Sequence, residues 1–159
     1  PAVPGAGSWS VAFVDGGPAL PAPIETRTLA SWTTLGGEDA QRFAGTARYT
    51  LRFERPRAAT SDWLLDLGDV RELAEIHLNG RSLGIVWTPP FRVDISSVVK
   101  PAGNLLEIEV VNFWPNRIIG DQSLPTEHRF TRTNIRKLTK DTPLMESGLL
   151  GPVTVLVAE

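Results

Sequence analysis

Apolar residues in this chain recur at every second position, in runs too short and too often broken by proline and glycine to build anything but β-strands. In ARYTLRFE, Tyr49, Leu51 and Phe53 share one face while Arg48, Thr50 and Arg52 take the other. DWLLDLG repeats the pattern with Trp63, Leu65 and Leu67 inward, and NLLEIEVVN sets Leu106, Ile108 and Val110 against Glu107 and Glu109. WSVAFV and PVTVLVAE extend the set, and IETRTL adds a shorter candidate. Within LAEIHLNGRSLGIVW, Asn79-Gly80 separates two alternating runs. That dipeptide is the preferred filling of a two-residue type I′ turn, because both of its positions need positive φ, so a hairpin is expected there.

Thirteen prolines and fourteen glycines punctuate the chain, and no window of a dozen residues holds a 3.6-residue apolar stripe. The one helical expectation is a short helix or turn at GEDAQRFAG. Many short strands between turn residues predict an all-β fold, an antiparallel jelly-roll β-sandwich. At 159 residues the chain is of single-domain size, sufficient for one hydrophobic core without disulfides, and it has no cysteine. A formal charge of −2, spread over 16 basic and 18 acidic residues, implies neither nucleic acid nor an anionic membrane surface as a partner. No apolar run approaches the ~20 residues of a membrane span. The start PAVPGAGSWS lacks the features of a signal peptide and an initiator methionine, so an excised or processed piece is expected.

From about Trp114 to Gly151 no strand is legible, yet Ile118, Ile119, Leu124, Phe130, Leu138, Leu144, Met145 and Leu149 are retained. Irregular connections of this length are usually functional or ordered by a neighbour, and a long excursion over one end of the sandwich is expected.

Several ordered segments carry a resemblance. FAGTARYTLRFE, WLLDLGDVRELAEIHLNGRSLGIVWTPPFRVDIS, KPAGNLLEIEVVNFWPNRIIGD and TKDTPLMESGLLGPVTV are similar to the galactose-binding-like β-sandwich known as the sugar-binding domain of family 2 glycoside hydrolases. NFWPNRIIGD and SGLLGPV resemble more closely the C-terminal module of α-L-rhamnosidase-like enzymes of glycoside hydrolase family 106. The likeness spans residues 43–157 of what reads as a single module, 1–159. It implies a carbohydrate-contacting accessory module of a secreted or periplasmic bacterial parent, with the parent's catalytic domain as its partner. A freestanding lectin-like module and a purely structural sandwich are the rival readings.

The residues can also be weighed for chemistry directly. Glycoside hydrolysis usually needs two carboxyl groups, about 5–5.5 Å or 6.5–9.5 Å apart, on rigid supports. Asp66, Asp69, Glu72, Glu75, Glu107 and Glu109 fall on ordinary strands and turns. Asp121, Glu127, Asp141 and Glu146 lie in the excursion, where no regular support is predicted, and the resemblance puts the acid and base in a separate barrel domain. No catalytic residue is therefore assigned. His77 and His128 have no spaced partner, and no metal site or cofactor is assigned. A structural calcium, which sandwiches of this kind often hold, leaves no signature in spacing.

A sugar presents an apolar C–H face and a rim of hydroxyls, so its receptor pairs an aromatic ring with amides and charged groups. Trp114 with Asn112, Asn116 and Arg117 matches that inventory, and Trp87, Arg92 and Asp121 are expected at the same end. These seven are the candidate carbohydrate-binding residues. A plainer reading uses the same side chains: Trp114 plugs the sandwich, Asn112 caps the last backbone groups of the strand, and Arg117 pairs with Asp121. A third makes Trp114, Ile118 and Ile119 a docking face for a catalytic domain. Trp9 and Trp63 read as core, while Trp32 is ambiguous.

Overall fold

The computed structural model describes residues 7–134 and 137–158 and shows eleven strands, β1 to β11, with little helix. β1 (Trp9–Gly17), β2 (Ile24–Thr26), β3 (Ala44–Phe53), β6 (Leu73–Leu78), β7 (Arg81–Val86) and β9 (Asn104–Val111) form one antiparallel sheet in the order β2-β1-β3-β9-β6-β7. The opposing layer holds β11 (Thr154–Val157), β4 (Trp63–Asp66) and β8 (Arg92–Asp94), beside the pair β10 (Gly148–Gly151) and β5 (Asp69–Arg71). The antiparallel sandwich expected from the alternation is the fold observed.

Alternation places the core. Tyr49, Leu51 and Phe53 from β3 and Leu106, Ile108 and Val110 from β9 meet Trp63, Leu65, Leu67 and Val155 of the other layer in one continuous buried cluster. The Asn79-Gly80 hairpin is made as predicted, with φ of 54° and 82°. Its asparagine does more than turn the chain: Nδ2 donates to the Val98 carbonyl and to Asn104, and Oδ1 accepts from the Leu105 amide.

Three short helices supplement the strands. α1 (Trp32–Leu35) starts at Ser31, whose hydroxyl accepts from the Thr33 amide, and α2 (Glu38–Gln41) lies in the segment read as a short helix or turn. α1 settles the position of Trp32, which is wholly buried and meets Phe13 and Phe43 edge-to-face at 5.5 and 5.8 Å. Such pairs contribute ~0.5–1.5 kcal/mol each beyond area burial.

The third helix corrects the reading of the excursion as irregular throughout. α3 (Pro115–Asp121) follows directly on β9, with Pro115 in its first turn, and residues 116–121 are all buried. A proline suits that position because its missing N–H is one a helix start leaves unbonded anyway. Because the helix is buried on every side, it carries no amphipathic stripe for the sequence to betray. A 3-10 turn (Thr126–His128) and β10 give the excursion further regular pieces.

Candidate functional site

The register fixes which residues share the rim. Val111, the last residue of β9, lies opposite Thr46 and Leu73, and Val86 at the end of β7 lies opposite Ala74. The continuations Asn112–Trp114 and Trp87 therefore leave the sheet at the same end, with β6 between them, roughly 10 Å apart at the backbone.

Most of the polar candidates face inward. Asn112 is buried; its Oδ1 accepts from the Gly45 amide at 2.9 Å, and its Nδ2 donates to the Phe43 carbonyl at 3.0 Å and the Ser147 hydroxyl at 3.1 Å. Asn116 is buried too and bonds Met145 twice, Nδ2 donating to its carbonyl and Oδ1 accepting from its amide. Its Nδ2 also reaches the Ser147 hydroxyl. Together the two asparagines tie the start of the excursion to its return into β10. Arg117 forms a buried ion pair with Asp121 one turn along α3. Asp121 also accepts from the amide and hydroxyl of Thr131. Burial alone would raise the Asp121 pKa, but the bonds from Thr131 and the guanidinium of Arg117 outweigh it and hold the carboxyl below its usual range.

Those four side chains thus hold the excursion in place from beneath, and the surface above them is apolar. Trp114 is 64% exposed and Phe130 65%, so Trp114 does not plug the sandwich. The guanidinium of Arg117 lies 5.1 Å from the ring centre of Phe130, a cation–π contact that fixes the ring from below. Trp114, Phe130, Arg117, Thr131, Pro18 and Ala44 line a cleft of about 190 Å³, room for about six waters or one sugar ring. Beside it, Phe113 and Met145 line a narrow crevice with Glu72 and Asn116, and both are more than half exposed. Ile118 and Ile119 are buried within α3 and offer no face to a partner.

Trp87 is 71% exposed at the end of the edge strand β7. Arg92, on β8, is exposed and bonds Asp66 at 2.6 Å, so it belongs to the opposing layer. The candidates therefore divide into two exposed tryptophans, one surface arginine and four buried supports.

Asp121 is enclosed, Glu146 is drawn to Arg71 at 3.4 Å, and Glu127 and Asp141 stand exposed. Among the described residues no group of three His, Asp or Glu side chains is placed to hold a metal, and no helix is long and apolar enough to cross a membrane. Sequence reasoning missed Ser147, where both asparagines converge, and the ring of Phe130. Ser147 opens the quoted segment SGLLG, but a lone serine there carries no pattern that would reveal such a role, whereas Phe130 between Arg129 and Thr131 is an aromatic flanked by polar residues and was legible in principle.

The sandwich thus carries an apolar rim over a buried polar lattice. No family model matches the chain. A rhamnosidase structure from Novosphingobium sp. PP1Y is 37% identical, with a TM-score of 0.81, over 98% of this chain and 15% of that one. A protein of Formosa agariphila described as "Putative beta-glucuronidase" is 33% identical over 96% of this chain and 15% of its own length. A Bifidobacterium dentium β-glucuronidase structure shares the fold over 70% of the chain at 22% identity, with a TM-score of 0.57. The chain thus spans about a seventh of the length of the two more similar proteins. Over nearly its whole length it is similar to one β-sandwich segment of these larger glycoside hydrolases, as the segments quoted above indicated.

Proposed function

We propose that the 159 residues act as one non-catalytic accessory module of a multidomain α-L-rhamnosidase-like glycoside hydrolase. In this reading the excursion end serves two neighbouring purposes. Phe113, Leu144 and Met145 pack against the parent's catalytic domain, and the Trp114/Phe130 cleft contacts substrate glycan. The observation that carries the proposal is that nearly the whole chain maps onto a seventh of a rhamnosidase. The exposed rings on a lattice-supported rim agree with it.

Two measurements test the reading. The isolated chain should turn over neither aryl rhamnosides nor aryl glucuronides, and turnover by the chain alone would overturn it. Calorimetry with rhamnose-containing oligosaccharides should show weak binding that Trp114→Ala abolishes. If neither sugar nor a separately produced upstream segment of the parent binds, the sandwich is a purely structural domain.

A further inference from the structure

Sharing Thr131 with the aromatic cleft is a second and larger one, of about 740 Å³, lined by Gln122, Arg129, Thr131, Arg132 and Thr139, with Glu127 also in its wall. We propose that this cleft binds an anionic saccharide, a sugar unit bearing a carboxylate or a sulfate ester. The inference rests on the reading above that this end of the module meets glycan.

Charge is the first ground. The chain as a whole carries −2, yet between Thr126 and Asp141 it has Arg129, Arg132, Arg136, Lys137 and Lys140 against only Glu127 and Asp141. Even counting only the described residues Arg129, Arg132, Lys137 and Lys140 against Glu127 and Asp141, the segment has an excess of positive charge in a chain of net −2, which favours anions beside it. Among the described residues, neither Arg129 nor Arg132 lies within ion-pair distance of a carboxylate. Both retain guanidinium N–H groups suited to bidentate recognition of carboxylate or sulfate oxygens.

Preorganisation is the second ground. Nε of Arg129 donates to the Leu124 carbonyl at 3.1 Å, which anchors its stem and leaves the terminal nitrogens unclaimed. Thr131 is held by its amide and hydroxyl to Asp121, so the segment bearing Arg129, Phe130 and Arg132 is fixed to the buried Arg117 pair. Hydroxyls and an amide around the two cations match the rim of a sugar better than an extended polyanion. Thr131 lines both clefts, so a chain of sugars stacked on Phe130 and Trp114 would carry its next unit towards the arginines.

The test is a binding series on the full 159-residue chain with dextran, dextran sulfate, polygalacturonate and a single-stranded oligonucleotide at low and moderate salt. At least tenfold tighter binding to one of the two anionic glycans than to dextran is expected, and which of them binds identifies sulfate or carboxylate as the group recognised. Arg129→Gln with Arg132→Gln should reduce that affinity at least tenfold, while Arg52→Gln with Arg81→Gln, an equal charge change at exposed positions elsewhere, should not. Equal loss in both pairs would overturn the site in favour of diffuse attraction, and so would oligonucleotide binding as tight as that of dextran sulfate. Trp114-dependent binding of rhamnose oligosaccharides without preference for anions would sink this inference and leave the accessory-module reading intact. No binding to any glycan would sink this inference together with the glycan-contacting part of that reading. The accessory-module reading would then stand or fall on binding to the separately produced segment of the parent.

Discussion

Nδ2 of Asn112 and the hydroxyl of Ser147 lie 3.1 Å apart, and this contact joins the point where the chain leaves the large sheet to the point where it re-enters the sandwich. Asn116 Nδ2 reaches the same hydroxyl at 3.2 Å, and the Ser147 amide donates to Ser31 at 2.9 Å. A buried donor left without a partner costs roughly 1–3 kcal/mol. Ser147→Ala should therefore destabilise the module by about that amount. Asn112→Leu, which also strands the Gly45 amide and the Phe43 carbonyl, should cost roughly 2–4 kcal/mol by the same reasoning. Urea unfolding with unchanged m-values checks both, and losses under ~0.5 kcal/mol would show that the lattice contributes little.

Asp121 makes the module sensitive to acid. Its carboxyl titrates below the usual range when folded and near the ordinary value of about 3.9 when unfolded. Between those two values the unfolded chain binds more protons, so stability is fully present above about pH 4 and falls as the pH drops through the depressed value. Denaturation from pH 6 to pH 2.5 should show this decline. Asp121→Asn should flatten part of it while destabilising the protein at neutral pH by roughly 3–5 kcal/mol, because Arg117 is then buried without its partner. An unaltered acid limb in the variant would mean that other carboxylates govern it.

Tyr49 gives the opposite sign at alkaline pH and is the sole tyrosine, so its ionisation can be followed by absorbance without ambiguity. Burial raises its pKa to about 12, against the lowering effect of the Leu149 amide that donates to its hydroxyl. The unfolded phenol ionises near 10, so stability present below pH 10 is lost as the pH rises towards 12, in total about 3 kcal/mol for a shift of two units. Tyrosinate absorbance in the folded protein should therefore lag well behind that in urea. Superimposed titrations would place the hydroxyl in solvent. Gly148, at φ 100°, packs against this same hydroxyl and the Trp32 ring, where a Cβ would collide with both.

What the sequence disclosed and what it withheld have one physical source. β-strands with one face buried write their period into the residues, which is why Tyr49, Leu51, Phe53 and Leu106, Ile108, Val110 were placed without coordinates. The Asn79-Gly80 turn was legible because few residues adopt positive φ. α3 leaves no such mark: it is seven residues long and buried all round, so polar Asn116, Arg117 and Asp121 sit among Ile118, Ile119 and Gly120 with no stripe to read. In the candidate site, the composition of NFWPNRIIGD pointed to the right neighbourhood. It could not tell which groups face solvent, because an asparagine that bonds a sugar and one that bonds Met145 look alike until the partner is seen. The 3-10 turn and the arginine-lined cleft beyond it depend on contacts across the excursion, which residue order does not record.

Trp114 and Trp32 offer the most direct separation of binding from folding, since the same residue type is 64% exposed at one site and wholly buried at the other. Trp32→Ala opens a cavity beside Phe13 and Phe43 and should cost roughly 3–5 kcal/mol. Trp114→Ala touches no core and should leave stability within ~0.5 kcal/mol of the parent value. If the excursion end is where partners are met, Trp114→Ala will nonetheless abolish glycan binding measured by calorimetry and the accompanying change in tryptophan fluorescence. A folded Trp114→Ala protein that binds as the original does would move the contact elsewhere, and Trp87, the other exposed indole at the same end of the sheet, would be the next to replace.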